Sequence, residues 1–194
     1  WVVYPRIDEQ TKKNLEQYPD FMQQILFNRG IHSAQEAEEY LYAVRLPGDP
    51  FQLIDLENAV TRLLQAIKNN EKIVVYGDYD VDGVTATVMM VEALRSFGGV
   101  VEGYIPNRFD EGYGLNVEAI ELLTQQGTRV ILTVDCGIRS PLEAERALAL
   151  GVDLIISDHH HPKGDLPQGY AVICPKREGD PYPDKDLAGV GAAF

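Results

Sequence analysis

The sequence predicts an α/β protein in which a parallel, doubly wound sheet is flanked by helices. From residue 72 onward, short apolar runs alternate with stretches whose apolar residues recur at helical spacing. Short, wholly apolar strands are typical of a parallel sheet that is covered on both faces. The chain has 194 residues, of which 45% are hydrophobic and 24% charged, so it can bury a core of its own.

Residues 1–50 predict a mostly polar, helical extension that precedes this sheet. Ser33 and Glu36 form a capping-box pattern at the start of a helix over residues 34–42. We therefore expect an N-terminal helical extension over residues 1–50 and an α/β domain over residues 51–194.

The α/β domain begins with a helix over residues 56–69, which carries an apolar face made of Val60, Leu63, Leu64 and Ile67. Five strands are predicted after it, over residues 73–76, 100–105, 130–134, 154–156 and 171–173. The helices between them are predicted over residues 84–97, 116–126 and 141–150. The last of these has Pro141 at its start and Gly151 after its end, the usual asymmetry of helix termini.

Composition excludes several classes of protein. The 17 basic and 30 acidic residues give a net charge of −13, which argues against a basic face for nucleic acid or for an anionic membrane surface. No apolar run approaches the roughly 20 residues of a membrane-spanning helix. Cys136 and Cys174 are too few for a disulfide framework, so we expect reduced cysteines and a cytoplasmic protein.

Acidic residues and histidines follow three of the predicted strands. Because the carboxyl ends of parallel strands meet at one edge of a sheet, we expect these side chains to share one cleft. They are Asp78, Asp80 and Asp82 after the first strand, Asp135 after the third, and Asp158, His159, His160 and His161 after the fourth.

Such a cluster supports a narrow range of chemistry. Like charges at close range cannot all stay ionised without cations. Mixed carboxylate and imidazole donors suit Mn²⁺, and Mg²⁺ where oxygens dominate. Two such ions about 3.5–4 Å apart can activate a water for in-line attack on phosphorus. Arg108, after the second strand, would then hold a substrate phosphate with its planar guanidinium.

Simpler interpretations of the same residues stay open at this point. The spacing of Asp78, Asp80 and Asp82 before Gly83 matches the first half of a calcium-binding loop, but the twelfth position is Met89 and a strand precedes the motif. Acidic turns can also lack any role, because turns favour Asp and Gly. Three successive histidines can be a surface tract, and a lone arginine can be a solvated side chain.

Taken together, four segments resemble the motifs of the DHH phosphoesterase family. They are Val74–Gly83 (VVYGDYDVDG), Pro106–Leu115 with Arg108 and the run EGYGL, Val134–Gly137 (VDCG) and Asp158–His160 (DHH). The resemblance runs from about residue 50 to the end and implies a Rossmann-like, doubly wound DHH domain. The EGYGL run and the sequence LAGVG at residues 187–191 favour the family's single-stranded-DNA exonucleases.

The resemblance implies a metal-dependent phosphodiesterase that uses two Mn²⁺ or Mg²⁺ ions. It would degrade single-stranded DNA from the 5′ end to mononucleotides, in DNA repair and recombination. By the family pattern, Asp80 and Asp82 would each bind one metal, Asp135 would bridge both, and His159 would be a further ligand. Asp78 would be a ligand or would lie beside one. His160 would face the scissile phosphate, Arg108 would bind phosphate, and Asp158 would orient an imidazole.

The family also has features that this chain does not contain. A further metal-binding aspartate, a second domain and a DNA-binding module would be expected beyond Phe194, and they would carry the basic surface that the chain lacks. The resemblance further implies a monomer that meets single-stranded DNA through the whole protein, with a single-stranded-DNA-binding protein and a helicase as partners and no membrane.

Other functions compete with this interpretation. Within the family, the chain could act on oligoribonucleotides or cyclic dinucleotides. A small-molecule pyrophosphatase is disfavoured because that relative has a histidine where this chain has Tyr76. A catalytically inactive scaffold would have lost motif residues, whereas every motif residue in range is present. A dinucleotide-binding module is disfavoured because no Gly-x-Gly-x-x-Gly follows a strand.

Overall fold

The structure is a computed structural model, and it describes residues 3–42, 48–107, 112 and 114–194. The chain divides into two compact units, Trp1–Pro47 and Gly48–Phe194. No helix in the described part of the chain is both long and apolar enough to cross a membrane.

The larger unit is built on a five-stranded sheet with the order β2-β1-β3-β4-β5. All neighbouring strands are parallel, which confirms the predicted fold class. The order reverses between β1 and β3, and this reversal is where ligands bind in open α/β sheets. The strands are β1 (Lys72–Tyr76), β2 (Val100–Tyr104), β3 (Thr128–Val134), β4 (Asp153–Ser157) and β5 (Ala171–Ile173).

Helices cover both faces of this sheet. Those on one face are α4 (Leu56–Lys68), α5 (Val81–Ser96) and the short α8 (Gly189–Ala193). Those on the other face are α6 (Val117–Gln125) and α7 (Pro141–Ala149). A 3₁₀ helix, Pro50–Gln52, precedes α4.

Two buried layers hold the sheet between these helices. Successive strand residues point to opposite faces, so alternate positions enter different layers. In β1, Val75 belongs to the layer under α4 and α5, and Val74 belongs to the layer under α6 and α7. Both side chains are completely buried. The apolar strands β1, β3, β4 and β5 are buried as predicted, whereas the edge strand β2 is buried only at Val101.

The smaller unit contains α1 (Glu9–Asn14), α2 (Asp20–Phe27) and α3 (Ala34–Tyr42). Its core consists of Leu15, Leu26, Ile31 and Ala37. The predicted capping box at the start of α3 is present. The Ser33 amide donates to Glu36 Oε2 at 3.0 Å, and the Glu36 amide donates to Ser33 Oγ at 3.3 Å.

The structure corrects the predicted buried face of α4. Val60 and Leu64 are 37% and 53% exposed, whereas Leu63 and the charged Arg62 are buried. Arg62 can be buried because its guanidinium pairs with Glu71 and with Asp153. A buried charge with two carboxylate partners avoids most of the cost of desolvation.

Helix α5 begins earlier than predicted, at Val81 instead of Val84. Asp80 is its N-cap, and Asp80 Oδ1 accepts a hydrogen bond from the Gly83 amide at 3.0 Å. Asp82 therefore lies in the first turn of a helix. Gly83 is required there for space, because a methyl group at this position would lie 2.6 Å from the backbone nitrogen of Asp78.

Candidate metal centre

Five of the acidic and histidine side chains meet at the carboxyl edge of the sheet, where β1, β3 and β4 end. Two groups of them have ligand atoms that lie within 4.8 Å of one another. The first consists of Asp78, Asp80 and Asp135, and the second of Asp135, His159 and His160. Asp135 belongs to both groups, so it occupies the centre of the arrangement.

The backbone fixes the position of Asp135. It follows β3 directly, its amide donates to the carbonyl of Ser157 at 3.0 Å, and its φ is +60°. Asp is one of the few residues with a side chain that adopts this left-handed conformation readily. The turn is closed by Thr133 Oγ1, which donates to the carbonyl of Cys136 at 2.7 Å. The Asp135 side chain is thus held rigidly and is only 2% exposed.

The surroundings of Asp135 disfavour its charge. Burial, together with the carboxylates of Asp82 and Asp80, raises the pKa of Asp135 to about 7. Desolvation and like charges both penalise the ionised form, and a proton or a cation relieves them. This buried carboxylate is therefore suited to bind a positive ion.

His159 has one ring nitrogen committed to the backbone. Its Nδ1 lies 2.8 Å from the carbonyl oxygen of Leu187. A carbonyl oxygen can only accept, so Nδ1 carries the hydrogen, and in the neutral ring Nε2 keeps its lone pair. Nε2 points at the carboxylates, 3.0 Å from Asp135 Oδ1 and 3.7 Å from Asp82 Oδ2.

This geometry tests whether the residues fit a metal ion. Asp135 Oδ1 is buried and, among the described residues, has no hydrogen bond of suitable geometry, although Nε2 of His159 is only 3.0 Å away. A carboxylate oxygen and an imidazole lone pair at this distance repel each other unless a proton or a cation is shared between them. Oxygen and imidazole donors around such a point are a set that Mn²⁺ accepts. The residues therefore fit a divalent cation.

Asp158 contacts the backbone of both His159 and His160, and the ring of His160. Asp158 itself is 1% exposed. Its Oδ2 accepts from the Ile138 amide at 2.9 Å, and its Oδ1 accepts from the amides of His159 and His160 at 2.7 and 3.0 Å. Oδ1 also lies 2.7 Å from Nδ1 of His160. With its lone pairs engaged in this way, Asp158 holds the ring of His160.

The remaining sequence-predicted residues lie in different surroundings. Asp78 is buried, and its Oδ1 accepts from the Tyr79 amide at 2.7 Å, whereas Asp80 is exposed. His161 is exposed and belongs to neither group. Arg108 lies outside the described residues, as do Glu111 and Tyr113 of the EGYGL run.

Asp82 is engaged by the end of the chain. Its Oδ2 accepts from the Gly189 amide at 2.6 Å, and its Oδ1 accepts from the Val190 amide at 2.7 Å. Within the described part of the chain, Asp82 belongs to neither ligand group. These two hydrogen bonds connect Asp82 to residues that lie 107 and 108 positions further along the chain. In the sequence, their only signal is the LAGVG run, which pointed to a family and not to a contact.

The fold and the site together define an α/β domain with a carboxylate and histidine metal-binding edge. The chain belongs to the DHH family: the family model described as "DHH family, N-terminal domain" matches residues 72–194. The resemblance seen in the motifs is thereby confirmed.

Its similarity to curated proteins is to one kind of nuclease. The chain is 44% identical over 171 residues to the single-stranded-DNA-specific exonuclease RecJ of Bacillus subtilis, a match that covers 88% of this chain and 22% of the relative. It is 40% identical over 177 residues to the RecJ of Escherichia coli, and this match covers 91% of this chain and 30% of the relative. The chain thus spans less than a third of the length of either relative.

Two solved structures of RecJ are also similar to this chain. A crystal structure of exonuclease RecJ bound to manganese matches with a TM-score of 0.69 at 36% identity, over 76% of this chain and 37% of that one. A structure of RecJ in complex with Mn²⁺ from Thermus thermophilus matches with a TM-score of 0.68 at 29% identity. This match covers 95% of this chain and 25% of that one.

Proposed function

We propose that this chain is the DHH part of a two-metal exonuclease that degrades single-stranded DNA from the 5′ end to mononucleotides. One observation carries the proposal: Asp135, a buried carboxylate with a raised pKa, belongs to two adjoining groups of ligand atoms. A carboxylate shared between two such groups is the feature that a pair of metal ions requires. The similar proteins named single-stranded-DNA-specific exonucleases supply the substrate.

Mn²⁺ or Mg²⁺ would be the cofactor. The donors are carboxylate oxygens and imidazole nitrogens, and two similar structures hold manganese. When bound, such ions would neutralise charge on the phosphate and activate a water for in-line attack. This chain's part would be to fix the positions of the ligands, which the rigid turn at Asp135 and the bond from His159 to Leu187 support.

The ligands would divide into two sets around Asp135. Asp78 and Asp80 would bind on one side and His159 on the other, with Asp135 shared. Asp82 would complete the site from the first turn of α5, 3.7 Å from His159 Nε2.

Two residues would act on the substrate. His160, whose Nδ1 is held by Asp158, would present Nε2 to the scissile phosphate and, when protonated there, would donate to charge developing on a phosphate oxygen. Its side chain is 33% exposed, so a substrate can reach it. Arg108 would bind phosphate with its planar guanidinium.

A nuclease assay tests the proposal. A chimera in which this chain replaces the matching region of the Bacillus subtilis relative should release mononucleotides from single-stranded DNA when Mn²⁺ is present. The Asp135→Asn chimera should be inactive, and a chimera with the exposed Asp165 changed to Asn should retain activity. Faster cleavage of oligoribonucleotides or cyclic dinucleotides than of single-stranded DNA would contradict the proposed substrate. A folded chimera that binds Mn²⁺ and cleaves none of these would indicate a scaffold.

Finer properties of the whole protein are part of the same proposal. We propose a cytoplasmic monomer that works with a single-stranded-DNA-binding protein and a helicase. Support comes from the kind of substrate that the similar proteins act on, since single-stranded DNA in a cell is produced by unwinding and is coated by binding proteins.

A further inference from the structure

The segment of residues 187–190 contacts three of the side chains that the proposed function assigns to the metals. The Leu187 carbonyl lies 2.8 Å from Nδ1 of His159. The Gly189 and Val190 amides donate to the two oxygens of Asp82 at 2.6 and 2.7 Å. A methyl group added at Gly189 would collide with the side chain of Asp135.

We infer that the 187–190 segment is a positioning element of the metal centre, and that Gly189 is the residue on which its fit depends. The inference rests on the proposed function, because it concerns the same ligands. No atom of the segment needs to touch a metal or the substrate. Its effect would be to set the orientation of side chains that do.

The first effect is on His159. Because the Leu187 carbonyl can only accept, it holds the ring hydrogen on Nδ1 and leaves the lone pair of Nε2 directed at Asp135. Without this bond the ring could rotate or place its hydrogen on Nε2, and a protonated Nε2 cannot bind a cation. Partners that fix the tautomer of a ligand histidine usually contribute about 10–100-fold to metal affinity.

The second effect is on Asp82. Two amides that donate to its two oxygens fix the plane of the carboxylate. Each oxygen retains a further lone pair, so the carboxylate can still accept a cation. The contact joins the first turn of α5 to the start of α8, and so it fixes one side of the site relative to the other.

The third effect concerns the space beside Gly189, which leaves no room for a side chain. A methyl group on Gly189 would lie 2.6 Å from Cγ and 2.7 Å from Cβ of Asp135, which is closer than any real contact. Either Asp135 or the segment would have to shift. Gly191, two residues away in the same helix, has no such restriction: the nearest atom to an added methyl group is Leu187 Cδ2 at 3.5 Å.

These two glycines provide a matched pair for the experiment. Gly189→Ala and Gly191→Ala both add one methyl group to α8, and both replace glycine by a residue that favours a helix. Only the first meets Asp135. Mn²⁺ binding is measured by calorimetry on the 194-residue chain, and the hydrogen position on His159 is read by ¹⁵N NMR of the metal-free protein. Thermal unfolding shows whether each variant is folded.

Gly189→Ala should weaken Mn²⁺ binding by about 10–100-fold and should change the ¹⁵N signals of His159 from the pattern of a ring with its hydrogen on Nδ1. Gly191→Ala should bind Mn²⁺ within about twofold of the wild-type chain and should keep the His159 pattern, because its methyl group has room. A purely structural role for Gly189 would move the unfolding temperature and leave the His159 signals unchanged.

Equal Mn²⁺ affinity and unchanged His159 signals in a folded Gly189→Ala variant would overturn the inference. If the wild-type chain binds no Mn²⁺, the proposed function fails instead, so the two failures are distinguishable. Should Gly189→Ala not fold, Val190→Pro replaces it, because proline removes the amide that donates to Asp82 and is tolerated in the first turn of a helix. Wild-type Mn²⁺ affinity in Val190→Pro would then overturn the inference.

Discussion

Nε2 of His159 lies 3.0 Å from Oδ1 of Asp135, and both atoms are acceptors when His159 is neutral and Asp135 is ionised. Two acceptors at this distance need a positive charge or a hydrogen between them. A cation that binds here therefore competes with the proton that the raised pKa of Asp135 retains.

We expect Asp135→Asn to abolish binding at both metal positions, because the residue belongs to both ligand groups. The loss of Mn²⁺ affinity should exceed the roughly 10–100-fold effect of losing an outer partner. Calorimetry measures it, with Asp165→Asn as the control for loss of one exposed carboxylate. Retention of one intact Mn²⁺ site in Asp135→Asn would mean that Asp135 does not bridge.

The stability of the metal-free chain should fall as pH rises from about 4 to 7. The pKa of Asp135 is raised from 3.8 to about 7 in the folded protein. Between these values the folded state holds a proton that the unfolded state has lost, so raising the pH favours unfolding. Above pH 7 the effect of this group is complete.

Urea unfolding at several pH values measures this loss, which we expect to be on the order of 4 kcal/mol for Asp135, since each pKa unit corresponds to about 1.4 kcal/mol. Asp135→Asn should not show this pH-dependent loss of stability. Its free energy of unfolding should therefore rise relative to that of the wild type as pH increases, and the variant should be the more stable protein at pH 8. Saturating Mn²⁺ should restore wild-type stability at pH 8. Parallel pH profiles for the two proteins would show that Asp135 titrates normally.

His160→Ala should separate binding from chemistry. Since Asp158 holds Nδ1 and the other nitrogen is proposed to face the phosphate, Mn²⁺ affinity should change little. In the chimera with the Bacillus subtilis relative, kcat should fall by roughly 10²–10³, the usual effect of losing one donor to the transition state. A large loss of Mn²⁺ affinity would instead identify His160 as a ligand.

The 194-residue chain alone should cleave single-stranded DNA poorly. Its net charge of −13 opposes an anionic polymer, and counterion release requires several contacts from Lys or Arg to phosphates. At low salt and saturating Mn²⁺, we expect turnover by the chimera to exceed that of the chain by at least about 100-fold. Comparable turnover would show that residues 1–194 already contain all that the reaction needs.

Much of the fold could be predicted because its signals are local. Apolar strands such as Val74–Tyr76 are buried on both faces, and acidic residues at strand ends share an edge in any parallel sheet. The predicted face of α4 was right at Leu63 and Ile67 and wrong at Val60 and Leu64. The buried side of this helix includes Arg62, which pairs with Glu71 and with Asp153, 91 residues away. No periodicity within a helix reveals such a partner.

In the site, too, some features have a local signal in the sequence and others do not. Side chains that carry the chemistry, such as Asp135 and His159, stand out in the sequence because Asp and His are ligands wherever they gather. The contacts that orient them come from backbone atoms of Leu187, Gly189 and Val190. Every residue has such atoms, so the sequence contains no signal for them.

The reversal of strand order between β1 and β3 has a consequence for folding kinetics. Asp82, Asp135, His159 and Val190 come together only after the strands on both sides of the reversal have paired, and the contact between Asp82 and Val190 spans 108 residues. We expect contacts of such long range to form after the transition state, since loop closure must precede them. A cation would then bind the native state but not the transition state. It should slow unfolding while leaving the refolding rate unchanged, so that the ions would prolong the lifetime of the folded domain without speeding its formation.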